Sequence, residues 1–215
     1  MRPLAVLPPR PFLYAIVDRD LLGARSVGTA VTELARGGAG LVQLRAKGAT
    51  DRAFLAWAQE AVAAARSAGV PLLVNDRADI ALLARADGVH VGQEDLRPAD
   101  VRRVLPAPAI VGVSTHSLAQ LDAAALEPVD YIAIGPIFET RSKHRPDPVV
   151  GLELVREARR RTPGPLVAIG GIGSEDAARV AQAGADGVAM ISALLAHRDL
   201  REAALRVSRA LGTTG

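Results

Sequence analysis

The stretch ARADGV, residues 84–89, returns at residues 183–188 as AGADGV and more loosely at 35–42 as ARGGAGLV. In each, an alanine-rich run stops at Gly or Asp and an apolar run begins. That is the pattern of a helix ending, a turn forming and a strand starting. Three instances in one chain point to a single αβ unit used repeatedly, and the unit can be traced outward from them in both directions.

Apolar runs of strand length lie at FLYAIVD (12–18), LVQLRA (41–46), PLLVND (71–76), GVHVG (88–92), AIVGVST (109–115), YIAIGP (131–136), LVAIGGI (166–172) and GVAMIS (187–192). Helical patterns alternate with them near 27–37, 51–67, 79–85, 98–104, 117–125, 151–161, 174–183 and 199–211. Near-continuous apolar runs mark strands buried on both faces. Strict alternation of strand and helix implies parallel strands joined by right-handed crossovers. Eight such units predict an α/β fold, a single-domain (β/α)8 TIM barrel over 12–215, preceded by a Pro-rich extension at 1–11. A doubly wound sheet is the alternative, and it typically uses fewer strands. Ser174, followed by Glu175 and Asp176, reads as a helix N-cap with acids in the first turn. The one long connection, 137–150, has a length suited to closing over a substrate.

Composition narrows the function. The chain has 215 residues, 49% of them hydrophobic, which is ample for one large core. It has no cysteine, so disulfides, thiolate metal sites and cysteine nucleophiles are excluded. Net charge is +3 with no basic tract and few aromatic residues, which argues against a nucleic-acid partner. No run approaches the roughly 20 apolar residues needed to cross a bilayer, so no membrane partner is expected. The first twelve residues, MRPLAVLPPRPF, lack a signal-peptide pattern, and the expectation is a cytoplasmic protein.

In such a barrel the chemistry sits at the C-terminal ends of the strands. The second strand ends with Gln43, Arg45 and Lys47 on one face and Leu44 on the other, by period-two alternation. The third ends in Asn75 and Asp76, the fourth leads to Asp95, and the fifth ends in Ser114, Thr115 and His116. Thr140, Ser142 and Lys143 follow the sixth, IGGIG ends the seventh, and Ser192 ends the eighth. Any one of these could be a cap or a turn; together they line a rim. Of 26 cationic residues only Lys47 and Lys143 are lysine, and both fall on this face. An ammonium is a compact point charge suited to phosphate oxygens.

Asp76 and Asp95 end neighbouring strands, which lie about 5 Å apart. Two carboxylates there repel unless a cation or a proton lies between them. An oxygen-only donor set beside phosphate-binding groups favours Mg2+, which takes one or two carboxylates, water and substrate phosphate. A water-bridged acid pair without metal is the alternative. A second anion site is expected at the Gly-Gly turn before Ser174 and at Ile191-Ser192, where barrels commonly bind phosphate. Two anion sites, one with metal, point to a transferase acting on two phosphorylated substrates.

These residues carry a resemblance. VQLRAK, LLVNDRADIALLARADGVHVGQEDL, IVGVSTHS, DYIAIGPIFETRSK, VAIGGI and AGADGVAMIS run in order from the second strand to the eighth, and they resemble the thiamine phosphate synthase family. The resemblance implies a (β/α)8 barrel and a Mg2+ cofactor, and barrels of this family often pair as homodimers. It implies transfer of a pyrimidine from its diphosphate to a thiazole phosphate, giving thiamine monophosphate and pyrophosphate. On the matching positions, Lys47, Arg45, Ser114 and Lys143 correspond to catalytic residues. Gln43, Leu44, Arg45, Ala46, Lys47, Asn75, Ser114 and Lys143 correspond to the pyrimidine diphosphate site. Thr140, Arg141, Ser142, Gly171, Ile191 and Ser192 correspond to the thiazole phosphate site, and Asp76 and Asp95 to the metal ligands.

Three departures stand out. Ala46 replaces the usual glutamate of R-E-K, which removes a supporting acid. Glu139 stands where proline is usual, and Ser142 where threonine is usual. The rival readings are a thiazole tautomerase of the same fold, with His116 moving the proton, and a non-catalytic thiazole phosphate sensor. Neither needs the Asp76–Asp95 pair. His116 is expected to be a hydrogen-bonded residue at a helix start, His90 to line the core, His144 to sit on a loop surface and His197 to lie near a helix start.

Overall fold

Eight parallel strands close on themselves in chain order, each paired with its sequence neighbour and the first with the last. The computed structural model describes residues 6–139 and 151–213. The strands are β1 (Phe12–Asp18), β2 (Ala39–Arg45), β3 (Leu72–Asn75), β4 (Gly88–Val91), β5 (Ile110–Thr115), β6 (Tyr131–Ile134), β7 (Leu166–Ile169) and β8 (Gly187–Met190). The helices are α1 (Val27–Arg36), α2 (Asp51–Ala68), α3 (Ala78–Ala84), α4 (Pro98–Val104), α5 (Leu118–Ala124), α6 (Gly151–Arg161), α7 (Ala177–Gln182), α8 (Ser192–Leu195) and α9 (Leu200–Ala210). The doubly wound alternative is thereby excluded.

Residue parity divides the core in two. Phe12, Tyr14, Ile16, Leu41, Leu73, Ile110, Tyr131, Ala133, Val167 and Ala189 fill the barrel interior. Their sequence neighbours Leu13, Ala15, Val17, Val42, Leu44, Val74, Val111, Ile132 and Val188 pack outward against the helices. Both faces of each strand are buried, which is why the strands read as unbroken apolar runs. Leu7 of the leading segment packs against the interior cluster at the N-terminal end of the strands.

The repeated turn has a mechanical reason. Asp87, Asp130 and Asp186 each precede an even-numbered strand, and each carboxylate accepts the backbone N–H of the strand before it. The acceptor distances are 2.9 Å from Leu72, 2.7 Å from Val111 and 2.8 Å from Leu166. Arg102 braces Asp130 at 2.6 Å and Arg159 braces Asp186 at 2.9 Å. Such charge-assisted bonds fix strand register at the bottom of the barrel, away from the rim.

Helix starts follow local chemistry. Ser26, Thr50, Ser117 and Asp199 cap α1, α2, α5 and α9 through their side chains. Ser174 does not cap α7 as the sequence suggested. Residues 174–176 form a separate turn, closed by Asp176 N–H on the Gly173 carbonyl at 3.1 Å, and the helix begins at Ala177. The β7–α7 connection thus gains one tight turn before the helix.

Candidate active site

At the C-terminal ends of the strands the inward parity changes from apolar to polar. Gln43 and Arg45 continue the inward row of Leu41, and register pairs them with Ile16 and Asp18 of β1. Arg45 forms an ion pair with Asp18, whose side chain is almost fully buried. Leu44 and Ala46 are buried in the outer apolar layer, so only their backbone faces the rim. Asp18 of β1 holds the guanidinium in place from inside the barrel.

Asp76 follows β3 in a left-handed conformation, with φ of 63°. Asp tolerates this region because its short polar side chain can bond locally, at a cost of about 1 kcal/mol. Its N–H donates to the His90 carbonyl at 2.8 Å, which extends the β3–β4 ladder by one residue before the chain turns. The turn brings the carboxyl within hydrogen-bonding reach of Asp95. Asp95 is itself fixed by the Gly92 N–H at 2.7 Å. Burial, and then the bond to and charge of Asp95, push the Asp76 carboxyl up to about 6, against the pull of Lys47 and Arg45. Lys47 Nζ lies 3.7 Å from Asp76 Oδ2. Arg77, next in sequence, is turned outward to Asp51 and Asp79, each at 2.6 Å. Asn75, the last residue of β3, is buried and pairs in register with His90.

Ser114 closes the far side of the mouth. Its Oγ lies 2.8 Å from His90 Nε2, and its carbonyl accepts from Gln93 Nε2 at 2.6 Å. The next inward position on β5 is Gly112. A Cβ there would lie 2.0 Å from Tyr131 Cζ, so glycine is what lets the Tyr131 ring cross the barrel. His116 donates Nδ1–H to the Gly135 carbonyl at 2.7 Å, and its N–H bonds Gln120 Oε1 at 2.7 Å. It is bonded just ahead of α5, as the sequence led us to expect.

The β7 and β8 loops meet in a small notch lined by Gly170, Gly171, Ile191 and Ser192. Gly171 has φ of 66°, and a Cβ on it would lie 2.3 Å from the Glu139 carbonyl oxygen. The β6 loop lies directly against this turn, held by Ile137 N–H on the Ile169 carbonyl and Phe138 N–H on the Gly170 carbonyl, both at 3.0 Å. Ser192 begins α8, whose far end is held by Arg25 on the carbonyls of Leu195 (3.0 Å) and His197 (3.1 Å). Arg25 and the cap Ser26 are thus engaged in structure. Thr140, Arg141, Ser142, Lys143 and His144 lie outside the described residues.

The structure brings Gln43, Arg45, Lys47, Asn75, Asp76, Asp95 and Ser114 to one mouth, with Gly171, Ile191 and Ser192 just past the ends of β7 and β8. Sequence reading missed Asp18 as the partner of Arg45, and it missed Tyr14 and Tyr131 beneath the rim. The available signal was parity: each is a polar residue inside an apolar strand, on the inward row that ends at the mouth.

Comparison with known proteins bears on the fold and the family. The family model for thiamine monophosphate synthase matches residues 13–194. A thiamine-phosphate synthase of Koribacter versatilis is 49% identical over 189 residues, 86% of this chain and 89% of that protein. One from Azorhizobium caulinodans is 42% identical over 96% of this chain and 99% of its own length. The solved thiamine phosphate pyrophosphorylase of Pyrococcus furiosus superposes with a TM-score of 0.85 at 32% identity, covering 94% of this chain and 96% of that one. With the match spanning nearly the whole barrel and relatives aligned along most of their length, the chain belongs to the thiamine monophosphate synthase family.

Proposed function

We propose that this chain is a transferase that joins 4-amino-2-methyl-5-hydroxymethylpyrimidine diphosphate to 4-methyl-5-(2-phosphooxyethyl)thiazole. The products are thiamine monophosphate and pyrophosphate. The observation that carries the reading is the facing pair Asp76 and Asp95 with Lys47 beside it, set in a mouth that also holds Arg45 and Ser114. Neither a tautomerase nor a sensor of thiazole phosphate has use for that pair.

Among the described residues no group of three or more His, Cys, Asp or Glu gathers to hold a metal. Two carboxylates with oxygen donors only suit Mg2+, whose other positions go to water and substrate phosphate. Asp76 and Asp95 would hold it, and when bound it would neutralise charge on the diphosphate. Lys47, Arg45 and the Ser114 hydroxyl, with Lys143, bind the diphosphate by charge and hydrogen bonds. These contacts strengthen as the pyrimidine C–O bond breaks and the electron pair leaves with pyrophosphate. Electron donation from the 4-amino group supports the cationic carbon. Gln43 and Asn75 face that end of the substrate, with backbone from Leu44 and Ala46. The thiazole phosphate is anchored by Gly171, Ile191 and Ser192, together with Thr140, Arg141 and Ser142. Anchoring holds the thiazole nitrogen against the carbon it attacks. No side-chain nucleophile takes part.

No helix of the described residues is long and apolar enough to cross a membrane. A cytoplasmic location and a homodimer belong to the same proposal, the dimer because barrels of this family often pair.

The test is pyrophosphate release on mixing the protein with both substrates and Mg2+, beside an EDTA control and Asp76→Ala. Release that needs both substrates, the metal and Asp76, with thiamine monophosphate formed, supports the reading. Isomerisation or mere binding of thiazole phosphate without release overturns it.

A further inference from the structure

Beneath the mouth a single file of hydrogen bonds crosses the barrel. Gln43 Nε2 donates to the Tyr14 hydroxyl. Tyr14 and Tyr131 hydroxyls are 2.9 Å apart. The Tyr131 hydroxyl is 2.7 Å from His90 Nδ1, and His90 Nε2 is 2.8 Å from Ser114 Oγ. The file thus joins β2, β1, β6, β4 and β5. Gln43, Tyr14, Tyr131 and His90 are all buried, so water does not compete along it.

The file has a direction. An amide nitrogen only donates, so the Tyr14 oxygen accepts from Gln43. Tyr14 has one proton, and it goes to Tyr131. Tyr131 then gives its own proton to His90 Nδ1. A ring nitrogen that accepts carries no hydrogen, so the His90 hydrogen is on Nε2 and is given to Ser114 Oγ. Ser114 is left with its own hydrogen to donate elsewhere. Burial pushes both phenols above their ordinary range, so both remain donors. The Tyr131 ring stacks on the His90 imidazole at 5.5 Å and 20°, and meets Tyr14 edge-on at 5.9 Å and 85°. The rings are therefore held in the orientation the file needs.

We propose that Tyr131 is a positioning residue: through it the file holds His90 as the Nε2–H tautomer and turns the Ser114 hydroxyl proton towards the mouth. Ser114 then meets its ligand as a donor, the polarity that a diphosphate oxygen requires. A Gln43 amide turned end for end would reverse every step and leave Ser114 only lone pairs to offer an anion. The inference rests on reading Ser114 as a diphosphate contact. Tyr131 itself lies a layer below the mouth, and it acts through His90 and Ser114.

Two measurements test it. The first is long-range proton–nitrogen correlation on ligand-free protein labelled in histidine nitrogen, with His90 assigned by its loss in His90→Gln. The expected pattern is a protonated Nε2 and a bare Nδ1. A protonated Nδ1, alone or with Nε2, overturns the proposal. The second is the affinity for inorganic pyrophosphate with Mg2+, measured for wild type, Tyr131→Phe, Ser114→Ala and the double variant. Tyr131→Phe is expected to weaken binding about threefold to tenfold on the wild-type background, the effect of one lost hydrogen bond. On Ser114→Ala it is expected to do nothing. Equal losses on both backgrounds mean a merely structural role and overturn the proposal, and so does a wild type that binds no pyrophosphate. Intact binding and spectrum without turnover would sink the synthase reading alone. Should Tyr131→Phe fail to fold, the wild-type spectrum still decides.

Discussion

Lys47, one of only two lysines in the chain, lies 3.7 Å from the carboxylate of Asp76, which also bonds Asp95. A single ammonium, itself well exposed, faces two carboxyls. It does not neutralise them: Asp76 is still pushed up to about 6, first by burial and then by Asp95. The Asp76–Asp95 pair thus keeps a surplus of negative charge over the one ammonium beside it, which a divalent cation would relieve.

That surplus gives a stability prediction with a definite sign. Asp76 binds its proton more tightly folded, at about 6, than unfolded, where an aspartate titrates near about 3.9. The folded state is therefore favoured by this group at low pH, and the advantage is lost as pH rises through about 6. Asp76→Asn carries no such penalty. In metal-free protein at pH 8 the variant is expected to be more stable than wild type by about 1 kcal/mol, after discounting for the partly exposed side chain. The difference should shrink towards pH 4, while turnover is lost throughout. Thermal melts of both proteins across this range check it. A variant less stable than wild type at pH 8 would show that the acids are not in conflict.

The same pair predicts how a cation acts on the fold. Mg2+ that binds only the folded protein raises the melting temperature by mass action. The rise is expected at pH 8, to fade below pH 6 as a proton takes the cation's place, and to be absent in Asp76→Asn and in Asp95→Asn. Addition of inorganic pyrophosphate should enlarge it, because the protein supplies only two ligands. A rise that survives both substitutions would place the cation elsewhere.

The barrel was legible because strands buried on both faces leave unbroken apolar runs, and because ADGV recurs where strands begin. The mouth was legible through parity: Gln43, Arg45 and Asn75 are polar residues at the ends of such runs. What escaped was polar chemistry inside the runs. Tyr14 and Tyr131 pass unnoticed inside apolar runs, since a phenol shows its apolar body and its hydroxyl partner lies on another strand. Asp18 read as a strand end, and its pairing with Arg45 depends on β1–β2 register, which no local pattern fixes. Ser174 failed for the opposite reason. Its local pattern is a good cap, but the chain inserts a closed turn at 174–176 before the helix begins.

The bottom of the barrel should separate from the top in function. Asp186 accepts the Leu166 N–H at 2.8 Å and pairs with Arg159 at 2.9 Å and Arg10 at 3.3 Å, all at the N-terminal ends of β7, β8 and β1. Asp186→Ala leaves the buried Leu166 N–H without its acceptor and takes the carboxylate from Arg159 and Arg10, of which Arg159 keeps the Thr162 and Gly164 carbonyls. The expected loss is about 2 kcal/mol of stability, with kcat and both KM values near wild type below the melting range. Chemical denaturation and steady-state kinetics check the two halves. A fall in kcat in fully folded protein would show that register at the bottom is felt at the mouth.

The last prediction concerns the contact between the β6 and β7 loops. Gly171 has φ of 66° and no room for a Cβ, which would meet the carbonyl oxygens of Glu139 at 2.3 Å and Phe138 at 2.6 Å. Gly171→Ala must push the β6 loop away from the β7 turn, and it adds strain of about 1 kcal/mol from the left-handed backbone. The expected result is a KM for thiazole phosphate raised about tenfold, with the KM for the pyrimidine diphosphate changed far less, since the displaced loop borders the β7–β8 notch. Glu139 is exposed on that loop, and its negative charge works against a phosphate. Glu139→Pro is accordingly expected to leave the KM for thiazole phosphate equal or lower, and the effect should weaken as salt screens the charge. A clear rise in Glu139→Pro would refute the electrostatic account. Equal rises in both KM values in Gly171→Ala would mean that the notch is not where the thiazole phosphate sits.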